Sequence, residues 1–186
     1  MVKTLSRMIP LGTLAPDFSL PDVVSGQLKN LHGLKSEIAT VIMFICNHCP
    51  YVVHVRQQLV NLCQDYQSAG ISFIAISAND ASEYPADSPE NMAIEAKTYA
   101  YPFPYLYDET QEVAKAYAAE CTPDFYIFDG NLACIYRGQL DASRPGNDIA
   151  VTGVDLRTAL DNVLAGEPVS AEQTPSMGCN IKWKSN

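Results

Sequence analysis

The sequence is poor in basic residues and has no long apolar run. Each of these absences argues against a class of binding partner or location. Its 186 residues include 12 Lys and Arg against 21 Asp and Glu, which gives a net charge of -9. Nucleic acids and anionic membranes attract basic surfaces, so we expect neither as a partner. No stretch approaches the roughly 20 apolar residues of a membrane span. Pro10, Gly12 and Pro16 interrupt the N-terminal region where a signal peptide would be apolar. We therefore expect a soluble, cytoplasmic protein.

The length and composition indicate one globular unit. With 47% hydrophobic and 18% charged residues, the chain has the balance of a folded domain rather than of a disordered segment. Its length fits one domain better than two and is sufficient for a sizeable core. We predict a single domain over residues 1–186, with a core from about 11 to 166 and a polar C-terminal tail over 167–186.

The cysteines are numerous enough to form a disulfide framework, but the context argues against one. A chain of this length needs no disulfides for stability, and thiols stay reduced in a cytoplasmic protein. The cysteines are therefore expected to be core, metal-binding or catalytic residues. They are Cys46, Cys49, Cys63, Cys121, Cys134 and Cys179.

Apolar patterning predicts a hairpin followed by alternating strands and helices. Residues 39–45 form a continuous β-branched and aromatic run, which is typical of a strand buried on both faces. A helix after it and a second buried strand imply a parallel crossover. The predicted elements are a hairpin over 13–31 that turns at Ser25-Gly26, strand 39–45, helix 50–68, strand 71–77, helix 89–99 capped by Ser88, extended segment 101–107, a helix capped by Thr110 that runs to about 119, strands 124–128 and 133–137 joined by Asp129-Gly130-Asn131, and helix 154–165.

The segment Cys46-Asn47-His48-Cys49-Pro50 lies where the first buried strand gives way to a helix. The positive end of a helix dipole stabilises an anion, and the thiolate is the reactive form of cysteine. Two cysteines three positions apart can share one face of a helix and form a disulfide. A zinc site would need a second pair of ligands, and the sequence has no second C-x-x-C or H-x-x-H. A redox pair is the favoured interpretation; a metal site and plain packing are the alternatives.

These features, with two further segments, resemble the thioredoxin-fold superfamily, in the peroxiredoxin-like (AhpC/TSA, TlpA-type) branch. The segment Leu11–Leu20 is similar to the entry of that branch, and Cys121–Asp129 is similar to its Thr-Pro strand. The resemblance covers most of residues 11–165. It implies an α/β, thioredoxin-like fold: a central mixed sheet with helices on both faces, extended here by the N-terminal β-hairpin and the C-terminal tail. It also implies that Pro123 is cis and faces the dithiol, and that the Thr122 backbone pairs with a peptide substrate.

The chain differs from both peroxiredoxins and thioredoxins near the cysteine pair. A peroxiredoxin would have Thr or Ser where Cys46 stands. Its activating arginine has no clear counterpart near residues 120–127. Arg137 and Arg144 could take that place only if the chain folded back toward the cysteines. A thioredoxin would have Trp at Ile45 and a buried Asp at Thr40. The Cys49-Pro50 step does resemble the peroxidatic cysteine of peroxiredoxins.

Several residues near the dithiol carry two interpretations. His48 either donates to the Cys46 thiolate and lowers its pKa, or is an exposed loop residue. Cys121 is either an alternate resolving thiol or a buried filler, and Cys179 is either a mobile resolving thiol or part of a tail that Trp183 docks. We assign Cys63 and Cys134 to the core.

The favoured function is that of a thiol-disulfide oxidoreductase. Cys46 would attack a substrate disulfide and Cys49 would resolve the mixed disulfide, with Asn47, His48, Pro50, Cys121, Thr122 and Pro123 in supporting positions. The alternatives are a thiol peroxidase with Cys49 as the peroxidatic residue and, less favoured, a copper or zinc carrier. The implied partners are a protein or small-molecule disulfide, or a peroxide, and a thiol reductant. We expect no cofactor and no resident metal, and the sequence does not indicate an oligomeric state.

Overall fold

The computed structural model describes residues 3–185 and folds them into ten strands, five α-helices and one 3₁₀ turn. The elements are β1 (Lys3–Leu5), β2 (Ser19–Pro21), β3 (Leu28–Asn30), α1 (Leu31–Leu34), β4 (Ala39–Phe44), α2 (Pro50–Gln67), β5 (Ile71–Ser77), the 3₁₀ turn (Pro85–Asp87), α3 (Pro89–Thr98), β6 (Tyr105–Tyr107), α4 (Glu112–Ala116), β7 (Cys121–Thr122), β8 (Asp124–Asp129), β9 (Cys134–Gly138), α5 (Val154–Ala165) and β10 (Met177–Asn180).

A five-stranded mixed sheet in the order β6-β5-β4-β8-β9 forms the centre of the fold. β4 pairs in parallel with β5, and β5 with β6, so α2 connects two parallel strands as predicted. On the other side of β4, β8 and β9 run antiparallel as a hairpin. The sheet is therefore half parallel and half antiparallel, which confirms the expected mixed sheet.

β4 is the middle strand because all six of its side chains are apolar or small enough to be buried. Successive side chains of a strand point to opposite faces. Val41 and Met43 pack in the cluster that contains the inner faces of α2, α3 and α5. Ile42 and Phe44 pack in the opposite cluster, with residues of α1 and the α4 region. Helices cover both faces of the sheet, as the resemblance implied.

The helix boundaries agree with the sequence signals except at α4. Pro50 opens α2, the Ser88 side chain caps α3, and Gly166 ends α5 in the left-handed conformation. Thr110 was expected to cap a helix running to about residue 119. Instead, Gln111 precedes α4, and the helix stops early because Ala118 adopts a positive φ of 52°.

The hairpin predicted over residues 13–31 is present as β2 and β3, which pair antiparallel. The turn lies at Ser25-Gly26, where Gly26 has a φ of 70° and donates its N–H to the Asp22 carbonyl. This conformation is one that glycine adopts at little cost. The turn prediction is confirmed.

The C-terminal segment is not simply the polar tail that the sequence suggested. Residues 177–180 form β10, the middle strand of a second sheet in the order β1-β10-β7. Both neighbours are antiparallel to β10. β1 was not predicted either, so the structured part of the chain extends beyond the expected boundaries of 11 and 166 at both ends. The expectation that Trp183 docks the tail agrees with the structure, because its side chain packs partly buried on the cluster that contains Ile181.

None of the helices in residues 3–185 has the length and the apolar character needed to cross a membrane.

A substitution at Gly178 would test how closely β10 packs against β7. A Cβ at this position would overlap the Thr122 carbonyl and would lie 3.1 Å from the Pro123 nitrogen. We expect Gly178→Ala to lower the free energy of unfolding by about 1–3 kcal/mol, because the strands would have to separate. The measurement is denaturant unfolding. Glu172→Ala, an exposed change in the same segment, is the control and should stay within about 0.5 kcal/mol of wild type. Equal stability of Gly178→Ala and the control would contradict the tight packing.

Candidate active site

The two cysteines of the C-x-x-C segment meet at the junction of β4 and α2. Cys46 follows the end of β4, and Cys49 is the N-cap residue of α2, directly before Pro50. Their side chains lie in the same buried cluster and influence each other's pKa. Both residues are buried, with 2% of Cys46 and none of Cys49 exposed. The structure therefore brings the predicted pair together in a site closed to bulk solvent.

Thr122 contacts both thiols from the opposite side of the site. Its Oγ1 lies 3.4 Å from the Cys46 sulfur, and its carbonyl accepts a hydrogen bond from the Cys49 thiol at 3.1 Å. The Thr122-Pro123 peptide bond is cis, as predicted. The short strand β7 and the start of β8 thus form a wall against the dithiol.

Asp87 organises the loop that carries the dithiol, and the sequence analysis missed it. Its carboxylate accepts hydrogen bonds from the backbone N–H groups of Asn47, at 2.8 Å, and His48, at 3.3 Å. It also contacts His48 Nδ1 at 2.5 Å and accepts from the Asn79 side chain at 2.8 Å. The side chain is fully buried at the end of the 3₁₀ turn. No local pattern in its polar loop sets this aspartate apart, because its partners lie in distant segments.

The two thiols have opposite electrostatic environments. The hydrogen bond from Cys46 is the largest influence on Cys49 and lowers its pKa to about 5, against the opposing effect of burial. The Cys179 thiol, Thr122 and the Val52 amide also lower the pKa of Cys49. The Cys49 side chain makes no N-cap hydrogen bond to α2. The same Cys46–Cys49 bond, then burial and the Asp87 charge, raise the pKa of Cys46 well above its ordinary value. These directions favour Cys49 over Cys46 as the thiol that loses its proton first.

Burial by itself would raise the pKa of Asp87. The hydrogen bonds from His48 and Asn79 outweigh that effect and hold the pKa below its ordinary value. The carboxylate is thus a fixed negative charge beside Cys46.

This distribution corrects the expected role of His48. We expected His48 to donate to a Cys46 thiolate and to lower its pKa. Instead, the ring binds Asp87 through Nδ1 and stacks on Tyr84, with the ring centroids 5.4 Å apart. The pKa of Cys46 is raised by the Cys49 interaction, by burial and by the Asp87 carboxylate, and His48 is not among its main influences.

Asn47 and Pro50 are positioning residues. The Asn47 side chain donates to the Ala86 carbonyl at 2.8 Å and accepts from the Tyr105 hydroxyl at 3.1 Å. Pro50 occupies the first position of α2, where its missing N–H costs no helical hydrogen bond. Together they fix the loop between the two cysteines.

The Thr122 edge expected to pair with a peptide substrate is already paired. Cys179 of β10 lies opposite Thr122 in the antiparallel register. Any substrate that approached as an additional strand at this edge would have to displace β10. The expectation of open peptide pairing at Thr122 is therefore wrong for this conformation.

Among the described residues, the thiols of Cys63, Cys121 and Cys134 contact oxygens rather than the dithiol. The Cys121 thiol contacts the Pro123 carbonyl at 3.8 Å, and burial raises its pKa. It is a filler here, in line with the plainer of its two interpretations. Cys63 and Cys134 are buried in the two core clusters, as predicted.

The two candidate activating arginines do not reach the thiols. Arg137 donates to the Ile9 carbonyl and to Gln173. Arg144 bonds to Gln139 and to carbonyls of its own loop, and it lines a small cavity beside Pro123. Neither arginine hydrogen-bonds to Cys46 or Cys49 in the part of the chain that the structure describes.

Three side chains at the site could in principle share a metal ion. One donor atom each from Cys46, His48 and Asp87 lies within 4.8 Å of the others. Sulfur, imidazole and carboxylate ligands suit zinc. In the described residues His48 Nδ1 and Asp87 are bonded to each other, whereas His48 Nε2 is buried without a hydrogen-bond partner.

A buried pair of cysteines at a strand-to-helix junction, facing a cis proline on a mixed sheet, defines a thioredoxin-like redox protein. The AhpC/TSA family model matches residues 11–136, and the chain belongs to that family. Family and fold together support a thioredoxin-like redox function.

Solved structures similar to this one include two that cover nearly the whole chain. An uncharacterized conserved protein from Geobacillus kaustophilus is 60% identical, with a TM-score of 0.99 over 100% of this chain and 98% of its own. A hypothetical protein from Sinorhizobium meliloti is 48% identical, with a TM-score of 0.96 over 98% and 100%. A putative thioredoxin from Neisseria meningitidis, 22% identical with a TM-score of 0.62 over 81% and 89%, shares the fold. No curated protein gives a significant match.

Asp87→Asn tests the charge beside Cys46. Removing the carboxylate should lower the pKa of Cys46, because one of the influences that raise it is lost. The stability should also fall by about 1–3 kcal/mol, since the amides of the dithiol loop lose a charged acceptor. The measurement is ultraviolet thiolate absorbance against pH, where the later of the two dithiol steps should move to lower pH. Glu83→Gln removes an exposed charge from the same loop and should move neither step. An unchanged Cys46 step in Asp87→Asn would show that the carboxylate has no influence on the thiol.

Proposed function

We propose that the protein is a thiol-disulfide oxidoreductase whose Cys46 and Cys49 alternate between a dithiol and a disulfide. The observation that carries the proposal is the buried pair of thiols between the α2 N-terminus and the cis Thr122-Pro123 bond, with Thr122 in contact with both sulfurs. Thiolate attack on a disulfide requires an anionic sulfur and a second thiol within reach. Cys49 and Cys46 supply these two requirements.

The pKa directions reverse the roles assigned from the sequence. In the proposed reaction the Cys49 thiolate attacks one sulfur of the substrate disulfide, and the other sulfur leaves as a thiolate. Cys46 then attacks the Cys49 sulfur and releases the second substrate thiol. The proton from Cys46 goes to a departing substrate sulfur, because Asp87, with its lowered pKa, is a poor acceptor. The substrate disulfide is reduced, and a Cys46–Cys49 disulfide remains for a thiol reductant.

The closed site favours a small disulfide over an extended peptide as substrate. A peptide added as a strand would compete with β10 for the Thr122 edge. A small disulfide needs only a path to the Cys49 sulfur. A low-molecular-weight disulfide, with a thiol reductant for the return step, is the substrate class we propose.

A thiol peroxidase is the second candidate because the thiolate is placed on Cys49, directly before Pro50. Cys49 would be oxidised by peroxide to a sulfenic acid, and Cys46 would condense with it and release water. Neither Arg137 nor Arg144 is placed to activate the peroxide. Stopped-flow peroxide consumption no faster than that of a free thiol would remove this candidate.

Replacing Cys49 and replacing Cys46 should affect disulfide reduction in different ways. Cys49→Ser should lower the rate of disulfide reduction at least about 100-fold, because the attacking thiolate is gone. Cys46→Ser should still attack a substrate disulfide through Cys49 in a single turnover, seen as release of the first substrate thiol, but it cannot form the Cys46–Cys49 disulfide. Cys63→Ala, a change of a core cysteine on the same helix, is the control and should keep the activity. Full turnover in Cys49→Ser would refute the assigned nucleophile.

The pH dependence follows from the lowered pKa of Cys49. The thiolate should be present above about pH 5 and lost as the pH falls through that value. Because the pKa is depressed on folding, it stabilises the native state above the pKa of the unfolded thiol, and this contribution is also lost as the pH falls through about 5. The single-turnover rate of a small disulfide should therefore change little between pH 6 and 8. A rate that instead rises with a midpoint near pH ~8.5, the behaviour of a free thiol, would contradict the assignment.

A further inference from the structure

A third thiol interacts with Cys49. Cys179 lies on β10 opposite Thr122, with 4% of the residue exposed. It lies in the same buried cluster as Cys46 and Cys49, opposite the residue whose carbonyl is 3.1 Å from the Cys49 sulfur. Its thiol is also one of the influences that lower the pKa of Cys49. Cys63, Cys121 and Cys134, by contrast, contact carbonyl or amide oxygens. Outside the C-x-x-C pair, Cys179 is the cysteine whose thiol reaches the reactive sulfur.

The strand holds Cys179 in this position from both sides. Before it, Ser176 Oγ donates to the Gly138 carbonyl at 2.5 Å, and the backbone of Gly178 packs directly on Thr122. After it, the Ile181 N–H donates to the Glu120 carbonyl at 3.0 Å. The thiol is therefore placed by the fold rather than by a mobile tail.

The tail is also joined to the loop that carries the dithiol. Asn79 Oδ1 accepts from the Lys182 N–H at 2.8 Å, and Asn79 Nδ2 donates to Asp87 at 2.8 Å. Asp87 in turn binds the amides of Asn47 and His48. One buried amide side chain thus fixes β10 and the dithiol loop relative to each other.

We propose that Cys179 is a second resolving thiol for Cys49, acting on the mixed disulfide that Cys49 forms with a substrate. The proposal rests on the proposed function, since it needs a reactive Cys49. In the step, Cys179 attacks the Cys49 sulfur, a Cys49–Cys179 bond forms, and the bond between Cys49 and the substrate sulfur breaks. The substrate sulfur leaves and takes the proton that Cys179 gives up. No oxidant besides the substrate disulfide is required.

Two alternative disulfides follow from one nucleophile. The Cys46–Cys49 disulfide lies within the loop before α2, whereas a Cys49–Cys179 disulfide joins the start of α2 to β10. The second form leaves Cys46 as a free thiol beside Asp87. The oxidised protein can therefore store its disulfide either inside the C-x-x-C segment or between that segment and the tail.

The test uses the full-length Cys46→Ser variant and an aromatic disulfide that releases a coloured thiol. The first equivalent reports the attack by Cys49, and a second equivalent reports resolution inside the protein. We expect Cys46→Ser to release two equivalents and peptide mapping to identify a Cys49–Cys179 disulfide. Cys46→Ser/Cys179→Ser should release one equivalent and retain the adduct at least about 100-fold longer, since a positioned thiol gains a large effective concentration. Cys46→Ser/Cys63→Ala is the control and should release two.

The remaining outcomes separate the two proposals. Release of one equivalent by Cys46→Ser, with Cys179 still alkylated as a free thiol after unfolding, would overturn the role of Cys179 and leave the proposed function intact. Release of none, from wild type as well as from Cys46→Ser, would overturn both. Thermal unfolding of each variant shows whether it is folded, and Cys46→Ala replaces Cys46→Ser if the serine variant is not.

Discussion

Thr122 is the residue at which the three thiols of the site meet. Its hydroxyl lies against Cys46, its carbonyl accepts from Cys49, and its backbone pairs with Cys179. The cis bond to Pro123 holds that backbone against the dithiol. A shift in the register of β7 would move the contacts of all three sulfurs together. The redox site is thus a property of the whole β1-β10-β7 sheet and not of the C-x-x-C segment alone.

The interaction between Cys46 and Cys49 is the largest source of their electrostatic asymmetry, and two other parts of the chain add to it. The start of α2 lies beside Cys49 and favours a negative sulfur there. The buried Asp87 carboxylate lies on the Cys46 side and disfavours a second negative charge. These influences favour the thiolate on Cys49 over Cys46, and the different tasks proposed for the two residues rest on this difference. His48 takes part through Asp87 and not through direct contact with a thiol.

The sequence predicted what depends on local pattern. Continuous apolar residues marked β4 and β5, the Asp129-Gly130-Asn131 turn marked the β8–β9 hairpin, and the Thr-Pro resemblance marked the cis bond. β10 could not be found in this way, because Met177–Asn180 has no β-branched residue and forms a strand only between β1 and β7. The charge beside Cys46 was missed for a related reason. It is supplied by Asp87, whose contacts join segments distant in sequence.

The docking of the tail has a spectroscopic consequence. The chain contains a single tryptophan, Trp183, three residues after β10. Its indole lies partly buried, with the Lys115 ammonium 5.7 Å from the ring, and the neighbouring Lys184 N–H binds Gln111. A cation over the ring and removal of water both alter indole emission, and the tryptophan fluorescence of the protein comes entirely from the segment that closes the site. The native protein carries its own optical reporter of whether β10 is seated.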